Sequence, residues 1–286
     1  VDVGDVAQVA LTLVVGFGAG VLSALLGVGG AVITTPAVRV LGAPPIDAVG
    51  STVPAILPGA VAGTLRYARE GLVDWRAALG LGCSGAVFAV LGALATTLVD
   101  ARLLMVATAG LMLWSGVTVV RGGDRRSPQP TSVDDLAAGV EASETDVAFI
   151  GKSPSGADRP RHHHLGLLAG LGALSGLVAG LLGVGGGIVM VPMLTGPMRA
   201  PMRTAVASSL VAVAIFSVPA LVTHARLGNI DWSFAVPLMV GVVPGARVGS
   251  RITVGASDRT VRLLFGVMIL ALAVIYGAAE LRSLAG

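Results

Sequence analysis

Charged residues are few in this chain: Asp, Glu, Lys and Arg make up 12% of its 286 residues, about half of the roughly 25% typical of a soluble globular domain. With 54% of residues hydrophobic, the chain is also far too apolar to be disordered. Aromatics reach only 4%, and no segment alternates apolar with polar, so the girdled strands of a membrane β-barrel are excluded. The single cysteine, Cys83, rules out a disulfide framework and a multi-cysteine metal site, and its place in an apolar run suits packing. Asp and Glu are missing from every long apolar run, falling instead in turns and at run ends, as Asp47, Glu70, Asp74, Asp100, Asp231 and Asp258 do. The remaining class is an all-α polytopic membrane protein, whose helices satisfy their own backbone in lipid.

The net charge is +3 and the pI about 9.7. The 19 basic residues are scattered singly or in pairs between apolar runs, which is not the clustered footprint of nucleic-acid binding. No basic residue precedes the first apolar run, so that run lacks a signal-peptide n-region and is expected to stay in the mature protein. Long apolar runs cover 6–26, 49–65, 77–99 and 103–120, with a short piece at 31–41. After the polar stretch 122–164, the same order returns as 165–182, a short 188–194, then 205–222, 234–254 and 261–279. This divides the chain into a first membrane repeat (1–121), a polar, mobile linker (122–164) and a second membrane repeat (165–286).

The repeat is written in the residues. Shifted by 156 positions, Gly20–Pro36 (GVLSALLGVGGAVITTP) aligns with Gly176–Pro192 (GLVAGLLGVGGGIVMVP). One residue later in register, Ala48–Thr52 meets Ala205–Ser209, and Gly71-Leu72-Val73-Asp74-Trp75 meets Gly228-Asn229-Ile230-Asp231-Trp232. About eight transmembrane helices in two homologous repeats are expected, each repeat with a glycine-interrupted segment, a ground plan common among secondary transporters. If the short pieces do not cross, the repeats are parallel; if they do, the repeats are inverted. Counted for eight spans, the basic residues divide eleven to eight in favour of a cytoplasmic N-terminus and linker.

Gly27-Val28-Gly29-Gly30 and Gly183-Val184-Gly185-Gly186-Gly187 break otherwise helical apolar segments. In lipid, the backbone groups freed there must be buried by protein or reached by water, and the helix restarting after each break directs its positive dipole end at that place. This suits a small anion. The competing reading is close helix packing, which fits the isolated Gly16, Gly18 and Gly20. The hydroxyls of Ser51, Thr52, Ser208 and Ser209 open the next helices, either as donors to substrate oxygens or as caps of their own first turn. Arg247, between Pro244-Gly245 and Gly249, lies inside an apolar run, where a guanidinium needs water, a partner or an anion. Arg251 follows one turn later and could snorkel to the headgroups.

The duplicated Leu-Leu-Gly-Val-Gly-Gly with its following proline, the Ser-rich start of the next helix and the Gly-x-x-Asp-Trp turn together resemble the TauE/SafE family of sulfite and organosulfonate exporters. The resemblance covers nearly the whole chain outside the linker. It implies a two-repeat transporter of small sulfur-containing oxyanions, directed outward. By position, both glycine runs, Pro36, Pro192, Ser51, Thr52, Ser208 and Ser209 match the family's pattern. The first run departs from it at Ala31, where the second has Gly187.

Three enzyme-like patterns compete. Gly82-Cys83-Ser84-Gly85 with a distant His224 outlines an intramembrane serine protease, but that reading leaves the duplicated glycine runs unexplained. Gly151-Lys152-Ser153 has Asp146 where a phosphate-binding loop needs its first glycine. His162-His163-His164 lacks further ligands at metal-site spacing. No catalytic residue, metal or cofactor is therefore expected. The expected partners are a small anionic substrate and the lipid bilayer of the cell membrane, with an oligomer left open and a passive anion channel as a further alternative.

Overall fold

The computed structural model describes residues 3–95, 101–121, 165–183 and 185–285. The stretch expected to be a linker, 122–164, lies outside the described residues, as do Lys152, His162, His163, His164 and Val184. Among the described residues every regular element is a helix. The first repeat holds α1 (Val3–Leu26), α2 (Ala31–Val40), α3 (Pro45–Arg69), α4 (Trp75–Ala95) and α5 (Ala101–Arg121). The second holds α6 (Leu165–Leu182), α7 (Gly187–Thr195), α8 (Met202–Arg226), α9 (Trp232–Gly255) and α10 (Asp258–Ala285). Eight are long and two short, the order expected from the apolar runs. Five of the long ones (α1, α3, α4, α8 and α9) are both long and apolar enough across their described residues to cross a membrane.

Local chemistry sets the boundaries. Pro44 and Pro201 precede α3 and α8, where a fixed φ and a missing N–H cost nothing. In the Gly-x-x-Asp-Trp turns the aspartates cap the helices that follow: Asp74 Oδ1 accepts from the Ala77 N–H at 3.1 Å, and Asp231 Oδ1 from the Ser233 N–H at 2.9 Å. Pro36 and Pro192 fall inside α2 and α7.

Packing crosses between the repeats. Gly16 and Gly20 of α1 lie on the backbone of α9 at Leu238 and Val242, while Gly241, Gly245 and Gly249 of α9 lie on Leu13, Phe17 and Val21. The equivalent pair, α6 on α4, uses Gly172, Gly176 and Gly180 against Leu81, Gly85 and Ala89. Small residues let these backbones approach closely, which is how helices gain van der Waals contact in a solvent as apolar as they are. Gly18 takes no part, since a Cβ there would meet nothing within 4 Å. Cys83 is exposed on α4, outside this packing, and large apolar side chains such as Val14, Val87, Leu91 and Val267 are exposed on the outer faces, where lipid would cover them.

The contacts also fix the direction of each helix. α3 and α9 run parallel, since Gly50 lies against Asn229 and Gly59 against Val242. α3 and α8, equivalent by sequence, run oppositely: Gly63, late in α3, meets Leu210, early in α8, whereas Gly50, at the start of α3, meets the turn just beyond α8. Equivalent helices that point in opposite directions make the repeats inverted. The short α2 runs back alongside α3, with Thr35 Oγ1 3.3 Å from Thr52 Oγ1, so α1 and α2 form a hairpin that enters and leaves at one end of the bundle. The last helices close the argument, because Gly116 of α5 meets Ile269 and Leu270 of α10 while Gly266 meets Val120. The C-terminus of α5 and the N-terminus of α6 thus lie at the end opposite the start of α1. The expectation placed the N-terminus and 122–164 on one side; 122–164 lies outside the described residues, but the helix ends that flank it lie opposite the start of α1, because the return of α2 and α7 makes the number of crossings per repeat odd.

Candidate functional site

The two glycine breaks become the tips of two hairpins, one entering from each end, and they touch. Gly29 and Gly185 are neighbours: a Cβ built on Gly29 would lie 3.6 Å from Gly185 Cα, and one on Gly185 only 2.5 Å from the Val28 carbonyl oxygen. Both carry positive φ, +91° and +67°, a conformation that glycine alone adopts freely. Gly27, Gly30 and Gly183 share that sign, whereas Gly186 has φ −33° and Gly187 opens α7. At Gly187 a Cβ would collide with the Gly27 carbonyl. The α2 and α7 N-termini converge on this contact from opposite ends, and the N–H groups of Val28, Gly29, Gly30 and Ala31 donate to no acceptor among the described residues. Two positive dipole ends therefore meet in the middle of the protein.

The cavity beside Val28 and Gly30, bounded by Ser23, Leu26, Ile269 and Leu272, measures about 10 Å³, at the threshold for a single water.

The four matched hydroxyls serve the scaffold. Ser51 Oγ accepts from the Asp231 N–H at 2.8 Å and Ser208 Oγ from the Asp74 N–H at 2.9 Å. Each thus holds the Gly-x-x-Asp-Trp turn of the other repeat, and neither caps its own helix. Thr52 Oγ1 donates to the Val49 carbonyl at 2.8 Å, and Ser209 Oγ contacts the carbonyl oxygens of Val206 and Gly27 at 2.9 and 3.0 Å. Sequence reasoning missed two other serines. Ser23 of α1 and Ser175 of α6 are buried, and neither hydroxyl has a hydrogen-bond partner among the described residues. Ser23 lines the small cavity, and a Cβ on Gly186 would lie 2.6 Å from the Ser175 carbonyl oxygen. Only their place one helical turn or two before a break signals them in the sequence.

Arg247 is not brought to the tips. It is exposed on α9 and lines an outer groove with Arg66, Arg69 and Arg251. The protease pattern also stays apart: Ser84 Oγ donates to carbonyls of its own helix at Gly80 and Leu81, and both ring nitrogens of the buried His224 lack partners among the described residues, so no hydrogen bond joins the pair. Among the described residues no group of His, Cys, Asp and Glu could hold a metal ion.

Comparison with known proteins identifies a family. The family described as sulfite exporter TauE/SafE matches residues 12–276. A protein of Xylella fastidiosa strain 9a5c named "Probable membrane transporter protein" is 29% identical over 264 residues, covering 91% of this chain and 90% of its own length. "Probable membrane transporter protein YunE" of Bacillus subtilis is 21% identical, covering 91% and 94%. "Probable membrane transporter protein MamO" of Magnetospirillum gryphiswaldense is 31% identical over 133 residues, 42% of this chain and 21% of that protein. No solved structure matches the chain.

Proposed function

The chain belongs to the sulfite exporter TauE/SafE family and is a multi-pass membrane transporter, and from that premise we propose that it exports a small sulfur-containing oxyanion, sulfite or an organosulfonate, by alternating access at the paired glycine tips. The observation that carries this reading is the meeting of the two tips, each opening a helix N-terminus toward the other. The N–H groups of the first tip supply donors at a positive dipole end, and the unpartnered hydroxyls of Ser23 and Ser175 supply two more, a donor set suited to an oxyanion. Gly27, Gly29 and Gly30, with Gly183, Gly185, Gly186 and Gly187, let substrate approach the backbone. Ser51, Thr52, Ser208 and Ser209 hold the tips and turns in register.

Residues 1–121 and 165–286 act as two inverted repeats that rock about the tips. Because the tips meet backbone to backbone, Gly185 on Val28 and Gly187 on Gly27, passage there requires the hairpins to separate toward one side at a time, which favours a carrier over an open channel. No Asp or Glu is buried among the described residues, so among them no carboxylate relay sits at membrane depth. An inside-negative potential by itself drives an anion outward by about 2.3 kcal/mol per charge per 100 mV.

Charge gives the orientation. The fourteen arginines in described helices and turns divide by end of the bundle: Arg39, Arg102, Arg226 and Arg282 lie at the end holding the N-terminus, and the other ten at the opposite end. By the positive-inside tendency the ten-arginine end faces the cytoplasm. That end would attract anions to the loading side. The test is purified protein in proteoliposomes loaded with sulfite, taurine or sulfate. Potential-driven efflux of sulfite or a sulfonate that saturates with concentration supports the proposal. Equal efflux of all anions without saturation refutes it.

A further inference from the structure

We propose that the groove between α3 and α9 at the ten-arginine end is a binding site for the phosphate headgroup of an anionic phospholipid in the cytoplasmic leaflet. The groove has a volume of about 260 Å³ and is lined by Arg66, Arg69, Arg247 and Arg251 together with Leu65 and Ser250. Each helix contributes two guanidinium groups, brought together because α3 and α9 run parallel. Sequence separation hid this cluster, since Arg66 and Arg247 are 181 positions apart.

The charges are poorly neutralised by the protein. One carboxylate is near, Glu70, whose Oε1 is 3.0 Å from Arg66 Nη2. The side chains of Arg69, Arg247 and Arg251 form no ion pair with a described residue, and the buried Nε of Arg66 has no hydrogen-bond partner. Three surplus positive charges around one groove repel one another unless an anion joins them, and guanidinium groups bind phosphate oxygens in pairs of parallel hydrogen bonds.

The setting selects a lipid over a free anion. No residue of either glycine tip lines the groove, and Arg69, Arg247 and Arg251 are exposed. Its flanks continue into exposed apolar residues, Val61 and Leu65 on α3 and Val248 and Ile252 on α9, which would line the acyl chains while the arginines hold the headgroup. The volume is several times that of a bare tetrahedral oxyanion, and basic clefts between spans on the cytoplasmic side are a recurrent geometry for anionic headgroups.

The experiment uses the full chain, purified in a neutral detergent, with bound lipid counted by native mass spectrometry and thermal stability followed during titration. Phosphatidylglycerol should bind saturably and raise the melting temperature, whereas phosphatidylcholine and sodium sulfite at equal concentration should give no shift at this site. Arg247→Gln with Arg251→Gln should weaken phosphatidylglycerol binding by about tenfold to thirtyfold, the worth of two surface arginines. Arg76→Gln with Arg259→Gln, at the same end but outside the groove, should change it less than about twofold. The charge-keeping pair Arg247→Lys and Arg251→Lys covers the case of a glutamine pair that fails to fold, and should bind with intermediate affinity. Equal binding of phosphatidylcholine, or phosphatidylglycerol affinity unchanged in both groove variants, would overturn the proposal. So would a sulfite-dependent shift that disappears with the same arginines, since it would assign the groove to the soluble anion. Sulfite efflux through the tips is read separately, so failure here leaves that reading standing.

Discussion

The two repeats agree where they hold each other and differ where they face the solvent and the tip contact. The staples are nearly identical: Ser51 to the Asp231 N–H is 2.8 Å and Ser208 to the Asp74 N–H is 2.9 Å. The tips are not identical. In the first repeat Gly30 caps α2 at φ +80° and Ala31 is buried with its Cβ in place, while in the second Gly187 has no room for a Cβ against Gly27. Tyr67 anchors the first hairpin through a 2.6 Å hydrogen bond from its hydroxyl to the Ala24 carbonyl, but the side chain of its counterpart His224 has no partner among the described residues. Symmetry is thus kept in the elements that set the helix directions. It is relaxed at the tip contact, and at the helix ends, where the described arginines divide ten to four.

The largest break in this comparison is Gly187→Ala against Ala31→Gly. The new Cβ at 187 meets a backbone oxygen that cannot yield without parting the tips, an overpacking of about 1–3 kcal/mol, so saturable efflux should fall at least about tenfold while Ala31→Gly stays near wild type. Proteoliposome efflux, with the melting temperature as a folding control, reads both. Next come Gly185→Ala and Gly29→Ala. Both force a side chain into positive φ at about 1–2 kcal/mol, but Gly185 also meets the Val28 carbonyl, whereas Gly29 meets the Val213 side chain at 2.9 Å, which can shift. Transport should fall in both variants and further in Gly185→Ala, with folded yield near normal; wild-type rates in both would remove the tips from the substrate path.

Smaller effects separate staples from ligands. Ser51→Ala and Ser208→Ala each remove one hydrogen bond worth about 1 kcal/mol, and should lower thermal stability by matching amounts with little change in KM. Ser23→Ala and Ser175→Ala remove no hydrogen bond from the protein, so stability should hold while KM for sulfite rises. Last, Tyr67→Phe should cost about 1 kcal/mol of stability. His224→Phe should cost less or stabilise, because it removes two buried nitrogens that have no partner.

Much of this was legible in the sequence because it is local. The 156-residue shift marks the repeats, the glycine runs mark the breaks, and the order of long and short apolar runs gives the ten helices of the described residues. What stayed hidden depends on pairing across the chain. Ser51 reads as a cap or a ligand until Asp231 is seen beside it, and Arg247 reads as a lone intramembrane cation until Arg66 and Arg69 stand across the groove. The sense of the repeats was hidden for a related reason. Hydropathy shows that the segments at 31–41 and 188–194 are short, but only their contacts show that they double back and make the number of crossings odd. The balance of basic residues changed with that number, from eleven against eight for the eight-span count over the whole chain to ten against four among the described arginines.

Inversion with the arginine-rich end inside is most directly tested at Glu70 and Leu227, the exposed residues that end α3 and α8 at equivalent places in the two repeats. With Cys83 replaced by serine, Leu227→Cys should react with an impermeant thiol reagent added to intact cells, and Glu70→Cys should react only after the membrane is opened. Equal labelling of both cysteines from one side would mean that the repeats are parallel, and the reverse pattern would place the ten arginines outside.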